Sequence, residues 1–232
     1  MRREDREEIA RLPLFSNLSD KSLDRLLGSA FLQRFPAHVE LIREGDPPDF
    51  LHMVVDGQVE VFSRYRDRET TVAVIGPYQT FILAAVVLDR AYLKSARALA
   101  PSRILMLPAE AVRQTFDVDP IFARAIAQQL ALAYRGVVQE LKNQKLRTSL
   151  ERLANWLIRQ DSEGGGSGRL VLPFDKKVLA ARLGMVPEVL SRTFATLQAY
   201  GVQVDGRVIV LSDREALHNL AKPTPLIDDP SV

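Results

Sequence analysis

At 232 residues, 47% hydrophobic and 26% charged, the chain has the length of one large or two smaller domains and the make-up of an ordinary globular protein. It holds no cysteine, which excludes disulfides, thiolate nucleophiles, cysteine-ligated zinc and iron–sulfur clusters. A net charge of +2 with a pI of about 9.0 argues against a basic coat over the whole molecule and leaves room for a local basic patch.

The N-terminus, MRREDREEIARL, is charged and has no signal-peptide core, and no apolar run approaches the ~18 residues that span a bilayer. The expectation is a cytoplasmic protein with no membrane partner. SDKSLDRLL then reads as a short helix capped by Ser19. From residue 31 to 108 the pattern changes to short apolar runs broken by turn residues. FLHMVVDGQVEVF is the clearest, two strand-like runs around Asp56-Gly57 that predict a hairpin. Further turns fall at GDPP (45 to 48), RYRDRET (64 to 70) and GPYQ (76 to 79), a spacing that points to a β-roll, jelly roll or barrel.

A long helix free of internal proline is expected from Pro120, through FARAIAQQLALAYRGVVQELKNQKL. Ile126, Leu130, Ala133, Val137 and Leu141 recur along it at steps of four and three, a narrow seam that calls for a partner helix. The competing reading is a helix packed on its own sheet, with Gly136 a weak point. SLERLANWLIRQ predicts another helix, GGGSG a flexible loop, RLVLPF a short strand, and VQVDGRVIVL a hairpin turning at Asp205-Gly206. The expected division is residues 1–119 for a β-rich domain, 120–147 for the long helix, 148–212 for a C-terminal domain and 213–232 for a tail.

Inside that C-terminal domain, KKVLAARLGMVPEVLSRTFATLQAYG reads as helix, tight turn, helix. Ala180 is small where two helices cross, Gly184 permits the turn, and Leu179, Leu183, Leu190 and Phe194 supply a shared apolar face. Pro187 suits the first helical turn, where its missing N–H would be unpaired in any residue. Glu188, Ser191 and Arg192 then stand at i, i+3 and i+4, projecting from one face at the helix N-terminal end. In a helix-turn-helix that end enters the DNA major groove. There Arg192 can fork onto guanine O6 and N7, Glu188 can accept from a cytosine amine, and Ser191 can meet a neighbouring base. The bland alternative is a solvated Glu–Arg pair, weakened here by the helix pair and following hairpin. Between Arg169 and Arg207 basic residues outnumber acids, and Lys176, Lys177 and Arg207 are the expected further DNA contacts.

The whole order, with LIREGDPPDFLHMVVDGQVEV in the first half and GMVPEVLSRTFATLQAYGVQVDGRVIVL in the second, resembles the cyclic-AMP receptor protein/FNR (CRP/FNR) superfamily of bacterial transcription regulators, over residues 10 to 212. The resemblance implies an α+β fold: an N-terminal double-stranded, jelly-roll-like β-roll as sensor, a long dimerisation helix, and a C-terminal winged helix-turn-helix whose wing is the hairpin 202 to 211. It implies a homodimer on double-stranded palindromic DNA, a small-molecule effector, RNA polymerase as partner, and no enzymatic activity. Glu188, Ser191 and Arg192 match the FNR-like E-x-x-S-R pattern, which reads half-sites of the TTGA type.

The sequence departs from that family where cyclic nucleotides bind. The phosphate cassette, F-G-E followed by R-S or R-T, combines close backbone approach, a ribose acceptor and a phosphate fork. In FILAAVVLDRAYLKSARA, Leu83 and Ala84 replace the Gly-Glu pair and Lys94 replaces the arginine, with Ser95 kept. A signal other than a cyclic nucleotide is therefore expected. Ile82, Leu83, Ala84, Val86 and Val87 fit an apolar wall for an aromatic or aliphatic effector, with Lys94, Ser95 and Arg97 available to a carboxylate; core packing explains the same run. Without cysteine an oxygen-labile cluster is excluded, while haem stays open with His38, His52 and Met53 as donors. No metal site is expected. A cupin-like enzyme would need clustered histidines, and the sequence has no H-x-H arrangement. A regulator without small-molecule input is the third reading.

Overall fold

The computed structural model describes residues 1–229. It divides into two compact units, Met1–Leu132 and Ala133 onward, with the boundary inside one long helix. The N-terminal unit opens with α1 (Arg3–Ala10) and α2 (Asp20–Gly28). As expected, Ser19 caps α2: its Oγ accepts from the Ser22 N–H at 3.3 Å. Eight strands follow: β1 (Phe31–Phe35), β2 (Glu40–Ile42), β3 (Phe50–Asp56), β4 (Val59–Tyr65), β5 (Arg68–Ile75), β6 (Thr80–Phe81), β7 (Ser95–Ala98) and β8 (Ser102–Pro108). They pair antiparallel in two four-stranded sheets, β1-β8-β3-β6 and β2-β7-β4-β5. Helix α3 (Leu83–Leu88) interrupts them, and α4 (Ala109–Val118) leads into α5 (Pro120–Leu146).

Strand alternation divides the apolar residues between two cores. Val54, Phe81 and Ile104 of the first sheet meet Ile42, Val59, Val61 and Ala96 of the second, filling the space between the sheets. Leu51, Met53, Val55, Leu105 and Leu107 point the other way, onto Leu26 and Leu27 of α2, Val86 of α3, Val112 of α4, and Phe122 and Ile126 of α5.

The predicted hairpin at Asp56-Gly57 is not one. Its two strands, β3 and β4, belong to different sheets, so the turn carries the chain across the roll. Glycine is required there because φ is +91° and a Cβ would lie 2.3 Å from Ser102 Oγ and 2.7 Å from the Pro101 carbonyl oxygen. The local hairpin lies one strand later, where Tyr65 pairs with Arg68 across Arg66 and Asp67. The run expected as an apolar wall is largely helical. Only Phe81 is in a strand; Ile82 takes a left-handed φ of 58° and Leu83–Leu88 coil into α3.

The second unit contains α6 (Ser149–Glu163), β9 (Arg169–Val171), α7 (Lys176–Arg182), α8 (Pro187–Leu197), β10 (Val202–Asp205) and β11 (Val208–Leu211). Thr148 and Glu151 form a reciprocal capping box at the start of α6. The sheet order is β10-β11-β9, and Asp205 pairs with Val208, so the turn centres on Gly206 and Arg207, one residue later than the sequence predicts. The segment expected as a tail holds α9 (Arg214–Ala221) and α10 (Pro225–Asp228); its last three positions, 230–232, lie outside the described residues. Helix α9 is part of the domain: Leu217 and Ala221 are buried, and Asn155 Nδ2 donates to the Ala221 carbonyl at 2.7 Å. Among the described residues no helix is long and apolar enough to cross a membrane.

Candidate nucleic-acid interface and sensor core

Helices α7 and α8 meet through buried Leu179, Ala180, Leu183, Leu190 and Phe194, the apolar face predicted from the sequence. Gly184 makes the turn at φ +64°. Pro187 takes the first position of α8 after Val186, and the Leu190 N–H closes the first turn onto the Val186 carbonyl at 3.0 Å. With Leu190, Thr193, Phe194 and Leu197 facing inward, Glu188, Ser191 and Arg192 are left exposed together. Among the described residues Glu188 and Arg192 form no ion pair, so the solvated-pair alternative is not what the side chains do. The guanidinium is unoccupied at the end of the helix that can enter a groove.

Lys176 and Lys177 are exposed on the first turn of α7, and Lys176 Nζ lies 5.8 Å from the Phe194 ring centroid, which brings it beside α8. Arg207, expected as a further DNA contact, is exposed and also engaged within the protein. Its Nε and Nη2 both donate to the Leu172 carbonyl, at 3.1 and 2.7 Å, while its own carbonyl accepts from the Leu172 N–H at 2.8 Å. It therefore braces the hairpin against the strand beside it.

Two buried polar residues that carry this geometry escape sequence reading. Arg152 Nε donates to the Leu183 carbonyl at 2.8 Å and its Nη1 to the Arg147 carbonyl at 2.7 Å, and Asn155 reaches both Glu151 and Ala221. In SLERLANW both occupy positions that look like the wet face of an amphipathic helix, so periodicity gives no signal of burial.

The eight residues expected to line an effector pocket do not converge on one. Leu83 and Val86 belong to the core beneath the helices, Val87 packs at its margin, Ile82 packs on the inter-sheet core, and Ala84 is exposed. Ser95 Oγ accepts from the Glu44 N–H at 2.9 Å. Arg97 lies on the opposite face of its sheet from Ala96 and Ala98, 4.3 Å above the Phe62 ring, bound to Glu60 and Glu69 at 2.7 Å each. Lys94 is half-buried and forms no ion pair among the described residues; burial pushes its ammonium below the usual lysine range. A surface cavity of about 230 Å³ is lined by Val87, Arg113, Phe116 and Asp117, which gives Val87 but none of the other seven a cavity wall.

The haem donors separate too. His38 is exposed, while His52 and Met53 are successive strand residues that point to opposite faces of β3, Met53 into the helical core. They cannot ligate one iron together. His52 instead lies in a row of rings, 6.3 Å from Phe50 and 5.3 Å from Phe81. It is 3% exposed and its Nδ1 has no hydrogen-bond partner among the described residues; burial depresses its pKa to about 4.

Comparison with known proteins follows the same division. Residues 32–119 match the family model of the cyclic nucleotide-binding domain, and residues 151–220 that of the Crp-like helix-turn-helix domain. The chain is 22% identical over 222 residues to a CRP-like cAMP-activated global transcriptional regulator of Mycobacterium tuberculosis, covering 93% of this chain and 99% of that one. It resembles the structure of a candidate cAMP-binding regulatory protein from Silicibacter pomeroyi DSS-3, at 28% identity and a TM-score of 0.61, over 95% of this chain and 100% of that one. It also shares the fold of FixK2 from Bradyrhizobium japonicum, at 23% identity and a TM-score of 0.73, over 84% and 98% of the two chains.

Proposed function

The chain belongs to the CRP/FNR superfamily of DNA-binding transcription regulators, and from that premise we propose that it reads an inverted pair of TTGA-type half-sites as a homodimer, inserting α8 of each copy into the major groove. The observation that carries this reading is the exposed set of Glu188, Ser191 and Arg192 at the N-terminal end of α8, whose side chains are unpaired among the described residues. Pro187 fixes where that helix starts, and Lys176 and Lys177 add charge for the flanking phosphates. Arg207 contributes by holding the hairpin in shape.

Two recognition helices must stand about 34–36 Å apart to meet successive grooves, which requires a two-fold pair. The second half of α5 supports one, since Tyr134, Val137 and Leu141 are exposed apolar residues on it. The partners of the assembled regulator are double-stranded DNA, a second copy of the chain and RNA polymerase, in the cytoplasm.

The signal is something other than a cyclic nucleotide, because Leu83 is committed to the core and Ala84 supplies no acceptor where the cassette has glycine and glutamate. A small aromatic or aliphatic acid fits the remaining features, an apolar roll with the Lys94 ammonium, which forms no ion pair among the described residues. A second reading, regulation without any small-molecule input, is favoured by the filled space between the sheets.

The test is fluorescence anisotropy with a duplex carrying inverted TTGA-type half-sites and a scrambled duplex of equal length. Binding at least a hundredfold tighter to the first is expected, within the ordinary gap between specific and non-specific sites. Equal affinity for both would remove the proposed specificity.

A further inference from the structure

The chain does not stop where its helix-turn-helix match does. That match ends at residue 220, and the segment beyond it turns back: Lys222 ends α9 at φ 46° and Pro225–Asp228 form α10. It lands on the last turns of α5. Arg147 Nη1 and Nη2 each donate to one oxygen of Asp228 at 2.6 Å. Lys142 Nζ donates to the Leu226 carbonyl at 3.2 Å and Gln139 Nε2 to the Asp229 carbonyl at 2.8 Å. Asp228 also accepts from the Thr224 N–H at 2.7 Å, bracing its own turn.

The pair is unlike an exposed ion pair, which contributes little. The Arg147 side chain is 7% exposed, and the two parallel donors match a carboxylate as a fork. Burial works to raise the Asp228 carboxyl, but the Arg147 guanidinium and the Thr224 N–H outweigh it and hold the group below the usual range.

Arg147 lies in the elbow between the end of α5 at Leu146 and the start of α6 at Ser149. Its carbonyl accepts from Arg152 Nη1, and the same guanidinium holds the Leu183 carbonyl and reaches the Gly184 carbonyl at 3.5 Å, between α7 and α8. Asp228, Arg147, Arg152 and the turn before α8 thus form one unbroken chain of polar contacts inside a single compact unit.

We propose that residues 222–229 are a strap that fixes the recognition helix relative to the end of α5, with Asp228, Arg147 and Arg152 as positioning residues for operator binding. The proposal rests on α8 being the DNA-reading helix. A two-fold operator rewards only one separation of the two reading helices, so freedom at the elbow must be given up on binding and weakens it.

Three proteins test this beside the parent: Asp228→Asn, Asp228→Glu, and a chain ending at Lys222. Operator affinity is read by anisotropy on the TTGA-type duplex, and amide exchange is followed at residues 146–149 and 183–187. Asp228→Asn and the shortened chain are expected to bind the operator about tenfold more weakly, with the scrambled duplex unaffected and exchange accelerated at both places. Asp228→Glu, which keeps the carboxylate, restores most of both.

Operator binding within twofold of the parent for Asp228→Asn and the shortened chain, even with lowered melting temperatures, overturns the strap and leaves a purely structural tail. Faster exchange confined to residues 222–229 does the same. If the parent itself ignores the operator, the DNA reading fails, and exchange at 183–187 still decides whether the strap reaches α8.

Discussion

Arg192 carries the sharpest expectation at the scale of one residue. Its exposed guanidinium has no partner among the described residues, so Arg192→Ala removes no side-chain contact seen there and should cost mainly what DNA recognition gains from it. One bidentate guanine contact corresponds to about 1–3 kcal/mol per half-site. Anisotropy should show that loss on the operator and almost none on scrambled DNA; equal loss on both would make Arg192 a phosphate contact. His52 gives a different expectation. Its pKa is about 4 in the fold against 6.5 in an unfolded chain, so below pH 6.5 the unfolded state takes up a proton that the folded state refuses. Stability is complete above pH 6.5 and falls as pH drops toward 4, by about 2 kcal/mol at pH 5. Urea unfolding at pH 7.5 and pH 5 measures it, and His52→Phe, which extends the row of rings, should remove that share of the difference. An equal pH effect in His52→Phe would assign the loss to other groups.

At the scale of elements, α5 separates two roles along one helix. Ile126 is fully buried in the chain's own core and Leu130 packs against it, while Val137 is 64% and Leu141 55% exposed. The interface proposed from the seam therefore belongs on its second half, where apolar residues are exposed. Val137→Glu with Leu141→Glu, which spares the roll, should yield monomers in sedimentation, since each charge would face its own copy. Persistent dimers would move the interface elsewhere. The seam shows what the sequence could and could not reveal. Period identifies the face that is covered, not whether the cover is the same chain or another. Local rules made the Ser19 cap, the Pro187 start of α8 and the Gly184 turn legible, because each depends on neighbours in sequence. The pairing of β3 and β4 was not legible: Asp56-Gly57 has hairpin chemistry, but tertiary packing sends its strands to opposite sheets. The helix α3 was not legible either, since propensity alone cannot distinguish its apolar run from a strand.

At the scale of the molecule, the roll and the reading head place different demands on a signal. A cyclic phosphate needs an anion site, and Lys94 offers one half-buried point charge where the family has an arginine fork. Calorimetry with cyclic AMP should show no binding tighter than about 1 mM. Micromolar affinity would return the chain to the nucleotide-responsive members of its family. The order of strands has a consequence for how the chain reaches this state at all. Strand β8 lies between β1 and β3, pairing Phe31 with Met106 and Leu51 with Leu107, so the first sheet is assembled around its last strand. Closing such distant contacts is slow, whereas the β10–β11 hairpin and the helices around it form from near neighbours. On the ribosome the apolar strand FLHMVVD can meet β6 on one side early, but its other edge must stay open until residues 102–108 have emerged. The interval of greatest exposure to aggregation is thus built into the topology of the N-terminal unit, and it ends with the arrival of one strand.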